Sequence, residues 1–181
     1  MFYRHLQGPI EALLFASGQP LPADKIASIL NIHPGHVHTL IAEMIEAMSV
    51  DERGLTIVEV ADGYQICTKP AYAEIINKLT TVQDSKLSIA ALETLAIVAF
   101  KQPVTKQEIE SIRGVKSDRV ITTLLDRMLI KEVGRKEAVG RPILYGTTNE
   151  FLQCFGLKSL DQLPAIANLL PDDSKDDTKT V

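Results

Sequence analysis

The feature that most constrains this chain is an internal repeat. Sliding the sequence against itself by 83 residues aligns GQPLPADKIASIL (18–30) with KQPVTKQEIESIR (101–113). The register then continues through the pairs Val37/Val120 and Thr39/Thr122, while Ile32/Val115 and Ile41/Leu124 keep apolar character. A single duplication of roughly 80 residues predicts two domains, because a solenoid needs several shorter repeats. A length of 181 residues accommodates two small domains. We expect the first over residues 1–80 and the second over 87–165, with a linker near Thr80–Lys86 and an acidic, disordered tail over 166–181.

Each copy presents the same order of signals. A first helix is expected over about Pro9–Ser17 and Ser88–Lys101. A short second helix begins at Pro22 in one copy, and at Thr105 in the other, where the hydroxyl caps and Glu108 closes a capping box. The third helix carries a buried stripe at helical spacing: Val37, Leu40, Ile41, Met44, Ile45 and Met48, then Val120, Ile121, Leu124, Leu125, Met128 and Leu129. A β-hairpin follows. Strands over Leu55–Ala61 and Tyr64–Thr68 flank Asp62-Gly63, and strands over Ile130–Gly134 and Ile143–Thr147 flank the loop RKEAVGRP (135–142). Closing helices are expected near Pro70–Leu79 and Asn149–Phe155, with a last short turn over Ser159–Leu163. Three helices and a hairpin define a winged helix, a variant of the helix-turn-helix. The fold class is therefore mainly α with small β-hairpins, as two tandem winged-helix domains.

Chemistry finds little foothold. His33, His36 and His38 are the only histidine cluster, but residues two apart on a helix do not share a face, so no metal site is expected. No histidine follows position 38, and a Ser or Cys nucleophile would lack that base. The pairs Glu108/Glu110 and Glu43/Glu46 read as solvated helix faces, and no phosphate-cradling glycine motif is present. No catalytic residue and no cofactor are expected. Cys67 and Cys154 are too few for a disulfide framework and read as reduced core residues. The longest apolar run, Leu95–Phe100, is far below a membrane span, and the N-terminal stretch offers no signal-peptide pattern. A cytoplasmic location is expected.

Charge argues against nucleic acid as the main partner. Residues 1–84 hold five Lys/Arg against ten Asp/Glu, whereas residues 85–170 hold twelve against nine. The third helix of the first copy offers His36, Thr39, Glu43 and Glu46 outward, and that of the second offers Ser117, Asp118, Arg119, Thr122, Asp126 and Arg127. Neither is a basic stripe, so any DNA contact is expected to be weak. A DNA-binding transcription regulator acting through Arg119, Arg127, Arg135 and Arg141 is the alternative reading, and an unrecognised hydrolase is a more remote one. The Gly140-Arg141-Pro142 corner also fits a rigid return turn. The first helices favour assembly instead: Ile10, Ala12, Leu13, Leu14, Phe15 and Ala16, and Leu95 to Phe100, are apolar nearly all round. Such a helix needs cover on every side, from another chain, the neighbouring domain or the closing helix.

The stretches IEALLFASGQPL (10–21), ALETLAIVAFKQPVTKQEIESIRGV (91–115) and VGRPILYGTTNEFLQCFGLKSLDQLP (139–164) resemble the bacterial segregation and condensation protein B family, over about residues 5–165. The resemblance implies a non-enzymatic subunit of the structural maintenance of chromosomes complex, at the nucleoid. It implies a homodimer joined through the first domains, with the second domains gripping the kleisin subunit, segregation and condensation protein A, and contacting the ATPase only indirectly. On that basis Leu95, Val98, Phe100, Arg141 and Tyr145 are expected to touch the kleisin, and Leu14 and Phe15 to form the dimer face.

Overall fold

The computed structural model describes residues 3–79 and 86–164. The expected linker, Lys86 apart, and the expected tail lie outside them. The first unit runs α1 (Gln7–Ser17), α2 (Ala23–Leu30), α3 (Pro34–Met48), β1 (Leu55–Val60), β2 (Gly63–Thr68) and α4 (Ala73–Leu79). The second runs α5 (Ile89–Lys101), β3 (Val104–Thr105), α6 (Lys106–Arg113), α7 (Asp118–Asp126), β4 (Ile130–Arg135), β5 (Ile143–Thr147) and α8 (Asn149–Phe155). Both units are winged helices.

The helix ends follow from local chemistry. Ser88 caps α5 by accepting the Ala91 amide, and the Thr105 hydroxyl accepts the Glu108 amide while Glu108 reaches back to the Thr105 amide. This is the expected capping box. Asn31 and Gly114, both at positive φ, end the second helices and set the tight turn into the third. Pro22 sits one place earlier than expected, as the extended residue before α2 and not inside its first turn.

Each core is built by the stripe of its third helix. Val37, Leu40, Ile41, Met44 and Met48 meet Ile10, Leu14 and Ile26 from α1 and α2, closed by Ile57 and Tyr64 of the hairpin. In the second unit Ile121, Leu124 and Leu129 meet Ala91, Leu95, Val98 and Ala99 from α5, with Phe151 and Leu152 of α8 as a lid. Each large side chain withdrawn from water in this way contributes about 1.5–3 kcal/mol. Met128 departs from the stripe. Because α7 stops at Asp126, Met128 falls in a left-handed turn beyond the helix and is 60% exposed.

The hairpins differ from expectation in two ways. In the first, Val60 pairs with Gly63, so the two-residue turn is Ala61-Asp62 with φ 49° and 56°, one place before the expected Asp62-Gly63. Gly63 is required for another reason. A β-carbon there would lie 2.9 Å from the Leu21 carbonyl carbon, because Leu21 and Tyr64 exchange backbone hydrogen bonds at 2.9 and 3.0 Å. In the second unit the equivalent contact lengthens into β3, whose Val104 pairs with Tyr145 and Thr105 with Leu144, giving the sheet order β3-β5-β4. A two-residue strand carries no readable alternation, so periodicity could not announce it.

Candidate interaction surfaces

The first unit leaves an apolar face uncovered. On α1, Ile10 and Leu14 are buried, whereas Phe15 is 77% exposed and Ala12 stands beside it in the open. Leu14, expected in a dimer face, is thus a core residue with 1% exposure, while Phe15 is available. Phe15, Ala12, Glu11 and Gly8 line a hollow whose far wall is Leu55 and Ile66 of the hairpin. Leu55 also borders a second hollow, with Tyr72, Ile75 and Ile76. The helix α4 at its end buries no residue, and its Leu79 is 82% exposed. This seven-residue helix presents Ile75, Ile76 and Leu79 to water. The closing helices therefore differ: α8 buries Phe151 and Leu152 in its core, and α4 buries none of its residues.

The second unit sorts the expected partner-contact residues. Leu95 and Val98 are 2% and 0% exposed, held among α6, α7 and α8, and no surface of theirs is left for a partner. The outward positions of the same helix are Ile89, Leu92 and Ala96, the first 77% exposed. Phe100 is half-buried at the helix end. Ile112 and Val115, at the end of α6 and just after it, are also exposed, and Arg113 between them bonds Glu93 of α5 at 3.3 Å. Arg113 is itself almost buried, with a second bond to Ser117 Oγ at 2.9 Å. Ser117, expected on the outer face of α7, is consequently inside, with 1% exposure. Tyr145 is 8% exposed and lines a hollow with Lys106, Gln107, Glu110, Pro142 and Ile143. Burial pushes its phenol pKa up. Arg141 is exposed on the wing at φ 43°, beside Gly140 at φ 82°, and its carbonyl accepts from Arg135 at 3.2 Å. The expected contact residues thus do not form one site: two are core, one is nearly so, and Phe100 and Arg141 sit on different elements.

The cations near the second wing are largely engaged. Lys136 pairs with Glu108 at 2.6 Å, Lys106 with Asp118, and Arg135 is spent on the loop carbonyl. Glu108 is held down to about 2 by the Lys136 ammonium first and by the Thr105 amide and hydroxyl next. Arg119 is exposed on α7 between Asp118 and Thr122, with Asp126 beyond, so the helix offers alternating charge. The histidines have local tasks. His33 Nδ1 accepts the Gly35 amide at the start of α3, His36 stacks on Tyr3 at 4.6 Å, and His38 Nδ1 lies 2.8 Å from the Tyr64 hydroxyl. Among the described residues no group of three His, Cys, Asp or Glu could hold a metal ion, and no helix is long and apolar enough to cross a membrane. Both cysteines are free thiols; Cys67 is half-buried, but Cys154 is exposed on α8 and is not the core residue expected.

The fold and these faces define a class: a tandem winged-helix protein whose open surfaces are apolar or charge-balanced, suited to protein assembly. The chain belongs to the family described as "Segregation and condensation complex subunit ScpB", whose model matches residues 8–166. It is 51% identical to segregation and condensation protein B of Moorella thermoacetica over 168 residues, covering 93% of this chain and 86% of the relative. The protein of the same name from Symbiobacterium thermophilum is 48% identical, covering 92% and 76%. Among solved structures, ScpB from Mycobacterium tuberculosis matches with 34% identity and a TM-score of 0.42, covering 87% of this chain and 98% of that one. A dimer of the ScpB N-terminal domain complexed with ScpA peptide matches with 29% identity and a TM-score of 0.42, covering 43% and 98%.

Proposed function

We propose that the chain is a non-enzymatic, cytoplasmic subunit of the bacterial chromosome condensation complex, acting at the nucleoid as a homodimer that orders the kleisin subunit. The observation that carries this reading is the exposed apolar surface of the first unit, where two hollows, one at Phe15 and one at Ile75 and Ile76, meet the same residue, Leu55. A two-fold dimer uses the same patch on both copies, and adjoining apolar hollows beside a helix that buries no residue are the surface such a contact needs. The name shared by the relatives, and the ScpA peptide held by one dimeric N-terminal domain, favour a kleisin as the further partner. For that partner the second unit offers Ile89, Leu92 and Ala96 on α5, with Phe100 and Arg141 as outlying contacts. The ATPase would then be reached only through the kleisin.

Light scattering on the purified chain, alone and with co-purified kleisin, tests both halves. A dimer that takes up kleisin is expected, with Phe15→Asp giving monomers and Leu92→Asp giving dimers that no longer hold kleisin. A monomeric wild-type chain sinks the first half; a dimer indifferent to kleisin sinks the second. Tight, salt-sensitive binding to a defined duplex would return the chain to the regulator class.

A further inference from the structure

The first wing does something a hairpin turn does not ordinarily do. Central turn residues usually leave their amides to water, but here the Ala61 amide donates to the Leu157 carbonyl at 3.0 Å and the Asp62 amide to the Lys158 carbonyl at 2.9 Å. Both acceptors belong to the second unit. Beside them Lys158 Nζ meets Glu59 Oε2 at 2.6 Å, and Val60 and Ala61, 4% and 7% exposed, are part of the second unit's apolar core.

Backbone geometry points the same way. Two positive-φ positions in a two-residue hairpin turn favour Asn, Asp or Gly, and alanine at φ 49° is locally unfavourable. An unfavourable residue persists where its surroundings require it. Ala61 is buried beside the second unit's core, and asparagine, the better turn residue, would bring a polar amide into that apolar setting. The receiving segment is equally prepared. Gly156, at φ 63°, ends α8 and reverses the chain; the Leu157 amide is taken by Leu152 and the Lys158 amide by Gln162 Oε1 at 2.7 Å. Both amides of the segment are satisfied within their own unit, and both carbonyls are left for the wing.

We propose that the first wing is a latch between the two units of one chain: the Ala61-Asp62 tip seats on the Leu157 and Lys158 carbonyls and fixes how the second unit is held against the first. The segment GLKSLDQLP (156–164) is then a socket for the wing. The wing, which in a DNA-binding winged helix faces a backbone, is consumed inside the chain. The latch does not depend on dimerisation or on any partner.

Amide exchange measured by NMR on the full chain tests it. In the wild type the Ala61 and Asp62 amides should exchange at least roughly tenfold more slowly than free turn amides. Ala61→Asn, which favours the turn but blocks the seat, should raise exchange at Asp62 roughly tenfold while the β1–β2 ladder stays protected, and should broaden the X-ray scattering profile. Ala61→Gly should keep the protection. Should Ala61→Asn also open the ladder, Lys158→Glu decides: it should speed exchange at both amides, and adding Glu59→Lys should restore it. Wild-type tip amides exchanging freely, or protection untouched by both Ala61→Asn and Lys158→Glu, would overturn the latch.

Discussion

A β-carbon at position 63 would meet the Leu21 backbone at 2.9 Å, with the rest of the Leu21 peptide close behind. Gly63→Ala should therefore separate the Leu21–Tyr64 bridge and cost about 1–3 kcal/mol in urea unfolding, with the Leu21 amide losing its exchange protection. Thr105→Ala removes one half of the capping box and should cost about 1 kcal/mol by the same measurement. Glu108 gives a pH signature. Its folded pKa lies near 2, below the ordinary 4.5, so its contribution is present above the ordinary value and is lost as pH falls toward 2. A carboxyl titration by NMR should show that low value, and Glu108→Gln should flatten the acid limb of the unfolding curve. The capping box was legible because a Thr followed three residues later by a Glu, at the start of a helix signal, has few other uses. The Gly63 contact was not, since Asp-Gly reads first as a turn, and only the bridge between Leu21 and Tyr64 shows what the glycine makes room for.

At the scale of elements, helix existence and the third-helix stripes were readable from 3.6-residue periodicity, but the inward direction of the first helices was not. A helix that is apolar on every side carries no phase, which is why Leu95, Val98 and Leu14 read as contacts when they are core. Their replacement by alanine should cost about 2–5 kcal/mol in unfolding experiments while leaving the contact faces untouched. The exposed α4 invites the opposite expectation. Ile75→Asp with Leu79→Asp should barely move the urea midpoint of the unit, yet should dissociate the dimer in sedimentation experiments. The signal for this face was present in the sequence as apolar residues at 75, 76 and 79, but a closing helix is normally read as a lid. Only the burial of each residue separates α4 from α8.

Across the whole molecule the duplication has kept its frame and changed its accessories. Tyr64 and Tyr145 occupy equivalent places, each bonded to the residue after a Gln-Pro pair, Leu21 and Val104. Around that frame the third helix runs 15 residues in one unit and 9 in the other, and the wing turn grows from two residues to the 136–142 loop. The repeat was visible because the shared frame lies in the helices; the contact between units was hidden, since no periodicity announces that residues 61 and 157 meet.

The second wing loop, by contrast, closes on itself: the Lys136 amide reaches Pro142, Arg141 reaches Ala138, and Val139 at the tip is fully exposed. Among the described residues none covers Val139 at that tip. It is the place where foreign sequence could be spliced into the chain, so a short epitope or a dye-labelled peptide set between Ala138 and Val139 should leave folding intact, whereas the same graft in the first wing should not be tolerated.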